Sequence, residues 1–169
     1  MARIYLDWDL TAACFSFNAD QDASPEAVTN VLKSTYDSGS DQTKQAADVE
    51  YVAAYMHGML KPLLARYKGR ITILTANSAS NVRKICTQFD IPTPGIYSVH
   101  DAKAVHDAKD TKSAYIREQN KWFMFLDDSL EQITEVASLA NHMGGVVVPI
   151  VRPPRNAPVA DCGMFGRLS

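Results

Sequence analysis

Five short apolar runs punctuate the chain: Arg3 to Leu6, Ile71 to Leu74, Ile96 to Val99, Trp122 to Leu126 and Val146 to Val151. Most are continuous rather than alternating, the pattern of strands covered on both faces. Helical periodicities lie between them. Val82, Ile85, Cys86 and Phe89 fall at i, i+3, i+4 and i+7 behind a Ser78 or Ser80 cap. Leu130, Ile133, Ala137 and Ala140 repeat the idea behind Ser129, and Gly144-Gly145 ends that helix. A longer stripe of Val49, Val52, Met56, Leu60, Leu63 and Tyr67 predicts a helix that Gly58 and Pro62 kink or break. Strand and helix in alternation imply right-handed crossovers. The predicted class is therefore α/β, a Rossmann-like parallel sheet with flanking helices.

One stretch departs from simple alternation. Roughly sixty residues separate Thr11 from the second strand, far more than one crossover helix needs. Ser24-Pro25-Glu26 reads as an N-cap with proline in the first turn, opening a helix to about Tyr36, and Ser38-Gly39-Ser40-Asp41 reads as a flexible break. Residues 12–44 thus predict a small flap or helical cap inserted after the first strand, within a single domain spanning 1–169. The tail from Arg152 to Ser169 carries Pro153, Pro154, Pro158, Gly163 and Gly166 without periodicity, and is expected to wrap the surface.

Composition narrows the picture. With 46% hydrophobic and 21% charged residues the chain reads as an ordinary soluble globular protein. A formal charge of -2 supplies no overall field for nucleic acid or an anionic membrane, although a local basic patch leaves nucleic acid open. Cys14, Cys86 and Cys162 are widely spaced, lack any Cys-x-x-Cys, and read as reduced thiols of a cytoplasmic protein. Met-Ala-Arg runs straight into the first strand, so neither a signal peptide nor a membrane helix is expected. His57, His100, His106 and His142 show no metal-ligand spacing. Of these only His100, beside Asp101 after the third strand, falls near the rim discussed next.

Open parallel sheets bind ligands beyond the carboxyl ends of their strands, and those ends are well stocked here. The first run closes in Asp7-Trp8-Asp9-Leu10-Thr11, the second in Thr75, the fourth in Asp127-Asp128, while Lys112 heads a short helix beginning near Asp110 or Thr111. Buried carboxylates cost several kcal/mol per uncompensated charge (~several, by the penalty for buried ions), and a divalent cation would offset that cost. Two acidic pairs, a hydroxyl and an ammonium are what phosphoryl transfer through a protein carboxylate requires. Magnesium suits such a set because it takes hard oxygen ligands and keeps several waters. One carboxylate would attack phosphorus while its neighbour protonates the leaving oxygen and later deprotonates water. If the chain stays extended, Asp7 and Asp9 point one way and Trp8 the other, into packing.

In their order these motifs resemble the haloacid dehalogenase superfamily of phosphohydrolases, over roughly Arg3 to Val151. The resemblance implies Asp7 as nucleophile and Asp9 as acid and base with its backbone carbonyl on Mg2+. It further implies Thr75 and Lys112 holding the phosphoryl group, Asp127 on the metal, and Asp128 ligating or supporting it. Lys109 is the alternative lysine. Dehalogenases of the superfamily lack an acid at the position of Asp9, so its presence points to a phosphatase. Val151-Arg152-Pro153-Pro154-Arg155-Asn156 resembles the Pro-x-Asn segment of the superfamily's deoxyribonucleotidases, which makes a nucleotide monophosphate a candidate substrate.

Each residue also has a plainer role. Thr75 could cap the helix near Ser78, Lys112 could be a surface lysine, and Asp127-Asp128-Ser129 could cap the next helix. A phosphoacceptor receiver domain uses similar residues, but there Thr and Lys follow the acceptor aspartate, whereas here they precede the second acidic cluster. A non-catalytic binding or scaffold module would lack a nucleophile or ligand, and none is missing. A dinucleotide-binding oxidoreductase would carry Gly-x-Gly-x-x-Gly after the first strand. The expected activity is a magnesium-dependent phosphomonoester hydrolase. Its expected partner is a phosphorylated small molecule or a phosphorylated macromolecule, a protein or a nucleic-acid end among them.

Overall fold

Successive side chains of a strand leave by opposite faces, and in this chain both faces are covered. The computed structural model describes residues 2–35 and 56–150. Its strands are β1 (Arg3–Leu6), β2 (Ile71–Thr75), β3 (Gly95–Ser98), β4 (Phe123–Asp127) and β5 (Gly145–Pro149). Its helices are α1 (Pro25–Thr35), α2 (Lys61–Arg66), α3 (Ala79–Gln88), α4 (Val99–Ala104), α5 (Lys112–Gln119) and α6 (Leu130–Met143). All strands pair in parallel, in the order β3-β2-β1-β4-β5, giving the Rossmann-like α/β sheet that the apolar runs predict.

Leu6, Ile71, Ile73 and Leu126 enter one core with Leu64 of α2, Val82 and Ile85 of α3, and Val28 and Leu32 of α1. Tyr5, Leu74, Phe123 and Phe125 enter the other, against Ile116 of α5 and Val136 and Leu139 of α6. From β1 the chain moves outward to β2 and β3, then returns to β4 on the other side of β1. The reversal places a crevice at the carboxyl ends of β1 and β4, where ligands bind in sheets of this kind.

Local differences from the expected elements have identifiable causes. Trp122 is 46% exposed, and β4 begins one residue later and runs through Asp127. Val99 belongs to a helix, because the Ser98 side chain accepts from the Asp101 amide and caps α4 directly after β3. A wide helical turn over Met56–Leu60 runs directly into α2, and Pro62 sits in the first turn of α2, where its missing N–H is tolerated, so the helix changes geometry in the stretch where Gly58 and Pro62 predict a kink or break. Ser78, not Ser80, is the N-cap of α3. Of the expected flap, residues 13–24 form an irregular loop and α1 packs into the main core. Tyr36, the Ser38–Asp41 break, the rest of that insertion, Val49, Val52, Cys162 and the Arg152–Ser169 tail lie outside the described residues. Among the described residues no helix is long and apolar enough to cross a membrane.

Gly144 ends α6 with φ +81, a conformation that other residues adopt at a cost, and Gly145 opens β5 directly against β4. A Cβ at Gly145 would lie 2.9 Å from both the Phe123 ring and the Phe123 carbonyl. Gly145→Ala is therefore expected to destabilise the protein by about 1–3 kcal/mol through overpacking, seen as a lower urea midpoint. An unchanged midpoint would show that β5 shifts freely.

Candidate active site

The chain leaves β1 by a wide turn rather than by continued strand. Amides of Ala12 and Ala13 bond back five residues to the carbonyls of Asp7 and Trp8, at 3.3 and 2.9 Å. Leu10 takes φ 57 to close it. Trp8 is fully buried, as alternation predicts. Asp7 and Asp9, in contrast, take different hydrogen-bond partners, because the turn begins between them.

Asp7 is held at the switch point. Its amide donates to the Leu126 carbonyl at 3.0 Å, next to the registered pair Leu6 and Leu126, which sets it beside Asp127. Lys112 arrives from the head of α5, whose N-cap Thr111 accepts from the Ala114 amide. Its Nζ donates to Asp7 Oδ1 at 2.8 Å and to Asp127 Oδ2 at 2.6 Å. Asp7, Lys112 and Asp127 are all buried. Thr11 Oγ1 donates toward Asp7 Oδ2 at 3.1 Å and Asp128 Oδ1 at 3.3 Å, and Asp127 Oδ1 accepts from the Ser129 amide at 2.8 Å.

Asp7, Asp127 and Asp128 each bring a carboxylate oxygen within 4.8 Å of the others, an all-oxygen set able to hold a hard cation. Three carboxyl groups thus face one ammonium. Burial pushes the Asp7 carboxyl up to about 8, with Lys112 opposing and Asp127 adding to the rise. Burial also works against the Lys112 ammonium, but its two carboxylate partners outweigh it and its pKa rises.

Asp9 is held elsewhere, between the flap and β2. Its Oδ1 accepts from the Phe17 amide at 2.7 Å, and Asn77 Nδ2 approaches its two oxygens at 3.3 and 3.2 Å. Burial raises the Asp9 pKa, against these donors, which favour the ionised form. The carboxylate of Asp9 is thus outside the three-acid cluster.

Thr75 is fully buried, and its Oγ1 accepts from the Asn77 amide at 2.9 Å. It shapes the turn after β2, while Ala76 and Asn77 form the cavity wall there. Lys109 turns outward to Glu118, so Lys112 is the lysine that reaches the acids. His100 lies 3.3 Å from both Asp101 and flap residue Asp20, and its pKa is raised by hydrogen bonding to those carboxylates. Cys86 is a buried thiol pushed up to about 12 by burial, hence inert. Asn77 is the site residue that the sequence reading misses; its place two residues beyond Thr75 at a strand end is the signal that marks it.

Asp7, Asp9, Phe17, Asn77, Lys112 and Asp128 line one cavity of about 550 Å³. Its outer wall includes Lys103 and the acids Asp110, Glu131 and Glu135. Fold and site together define an α/β protein with an acid-and-lysine centre at the carboxyl edge of its sheet. No family model, curated protein or solved structure matches the chain.

A carboxyl whose folded pKa lies near 8 instead of 3.8 binds its proton more tightly in the folded state. The stability this gives is full below about pH 4 and is lost as pH rises towards 8. In chelator, Asp7→Asn, which keeps a neutral side chain, is expected to gain melting temperature relative to the parent across that window. A gap between the two melting curves that does not change with pH would contradict it.

Proposed function

We propose that this protein is a magnesium-dependent phosphomonoester hydrolase of the haloacid dehalogenase type, working through an aspartyl phosphate on Asp7. The observation that carries this reading is the buried Lys112 ammonium bridging Asp7 and Asp127 beside Asp128, assembled from three distant segments at one strand edge. Asp7, Asp127 and Asp128 would hold the cation, with the Asp9 carbonyl as a further oxygen ligand; their hard, negatively charged donors fit Mg2+. When bound, the ion supplies positive charge to the phosphoryl oxygens.

A carboxylate oxygen of Asp7 attacks phosphorus, and the bond from phosphorus to the leaving oxygen breaks as the new bond forms. Asp9 delivers its proton to that oxygen, and the alcohol departs. Burial raises the Asp9 pKa, the direction that suits an acid in this step. Asp9 then takes a proton from water, whose oxygen attacks phosphorus and releases Asp7 and inorganic phosphate. Lys112 opposes the negative charge of the transferred group and orients Asp7. Thr75 acts behind the wall, fixing the turn that presents Asn77.

The cavity has the size of a metabolite site, which favours a phosphorylated small molecule, a nucleotide monophosphate among the candidates. A protein or nucleic-acid-end substrate would have to present its phosphate through the same opening.

Asp7→Asn is expected to lower phosphate release from an aryl phosphate by ~10³-fold or more while its circular dichroism matches the parent. Turnover at the parental rate would remove Asp7 from the nucleophile's role. EDTA is expected to silence the enzyme and added magnesium to restore it; activity indifferent to chelation would rule out the metal-dependent reading. Asp9→Asn is expected to reduce kcat/KM more for alkyl than for aryl phosphates, since alkoxides depart poorly without a proton. Equal reductions would argue against Asp9 as the acid.

A further inference from the structure

Asn77 is 2% exposed, and its polar atoms are committed in every direction. Its amide donates to Thr75 Oγ1 at 2.9 Å and its carbonyl accepts from Ser98 Oγ at 2.6 Å, pinning the backbone to the ends of β2 and β3. Its Oδ1 accepts from the Ser78 amide at 2.8 Å and from Asn81 Nδ2 at 3.2 Å. The two hydrogens of Nδ2 remain. One faces the Phe17 carbonyl at 2.7 Å, and the other faces the Asp9 carboxylate at 3.2 and 3.3 Å.

The flap completes a ring. The Phe17 amide donates to Asp9 Oδ1 at 2.7 Å while the Phe17 carbonyl accepts from Asn77. A single asparagine amide therefore binds the flap backbone and the cavity-lining carboxylate together. Neither neighbour in the chain does this for Asp9, whose own backbone lies in the wide turn at φ -63, ψ 127.

We propose that Asn77 is the positioning residue for Asp9, setting its carboxyl in the cavity wall and making that placement conditional on a seated flap. Only a side chain with both an acceptor and a two-hydrogen donor meets these partners. Leucine has the volume without the donors, and aspartate would oppose the Asp9 carboxylate and the Phe17 carbonyl with like charge. The consequence is that proton delivery to the leaving group depends on a residue that need not contact the transferred phosphoryl group.

This inference rests on the reading of Asp9 as the acid, and the experiment separates the two. The parent, Asp9→Asn, Asn77→Leu and Asn77→Ala are compared by kcat/KM on 4-nitrophenyl phosphate, which loses a good leaving group, and on ethyl phosphate, which loses a poor one. The ratio between substrates cancels any general loss of folded or metal-loaded enzyme. Both Asn77 variants are expected to lose ~10²-fold on ethyl phosphate, the scale of a misplaced general acid, and far less on the aryl ester, following the selectivity of Asp9→Asn. Should Asp9→Asn discriminate between the esters while a folded Asn77 variant slows both equally, the positioning role is overturned and the acid assignment stands. Should Asp9→Asn itself slow both equally, the acid assignment falls and the inference with it.

Discussion

The ammonium of Lys112 lies between the carboxylates of Asp7 and Asp127 with almost no access to water, and the rest of the structure is arranged to make that tenable. Charges withdrawn from water cost several kcal/mol each (~several, after relaxation), and they persist only where geometry and additional hydrogen bonds compensate. Each member of the group is accordingly fixed from behind. Asp7 is locked by its amide on Leu126, Asp127 by the Ser129 amide, and Lys112 by its place in the first turn of α5. A sheet rearrangement that moved β1 against β4 would separate the partners and leave charge buried without compensation.

The flap obeys a different constraint. An irregular loop laid against a folded core carries backbone groups that must find partners. Residues 17–23 find them in the side chains of Asn77, Asn81 and Gln88. Asn81 Nδ2 donates to the Gln21 carbonyl at 2.8 Å and its Oδ1 accepts from the Ala23 amide, while Gln88 donates to the Ala23 carbonyl at 2.7 Å. Phe15 and Phe17 bury their rings in the core beneath. The loop is thus held both by amides from α3 and its approach and by apolar packing at its base.

The strands are legible in the sequence because both sheet faces are covered, so continuous apolar runs mark them and their polar ends mark the edge where chemistry collects. Lys112 heads a helix and has Lys109 as its alternative in the sequence, whereas Asp7, Asp127 and Asp128 can be picked out from that logic. The wide turn after β1 cannot, since it consists of backbone bonds and a left-handed Leu10 that no side-chain pattern announces. Thr75 is legible as a hydroxyl at a strand end, but its part in starting the turn, where its Oγ1 accepts from the Asn77 amide, is not. Asn77 escapes because its partners Asp9 and Phe17 are distant in sequence and meet it only when the flap folds back. The short helix α4 hides behind a β-branched Val99 that reads as strand until Ser98 is seen to cap it.

The wide turn has a chemical outcome. By ending the strand between two acids only one residue apart, it sends Asp7 toward Lys112 and Asp9 toward the flap, each with its own set of donors. Lys112 and Asp128 still act on both carboxyls. Their hydrogen-bond partners are separate, however, so a change in how the flap seats disturbs Asp9 while the bonds of Asp7 stay in place.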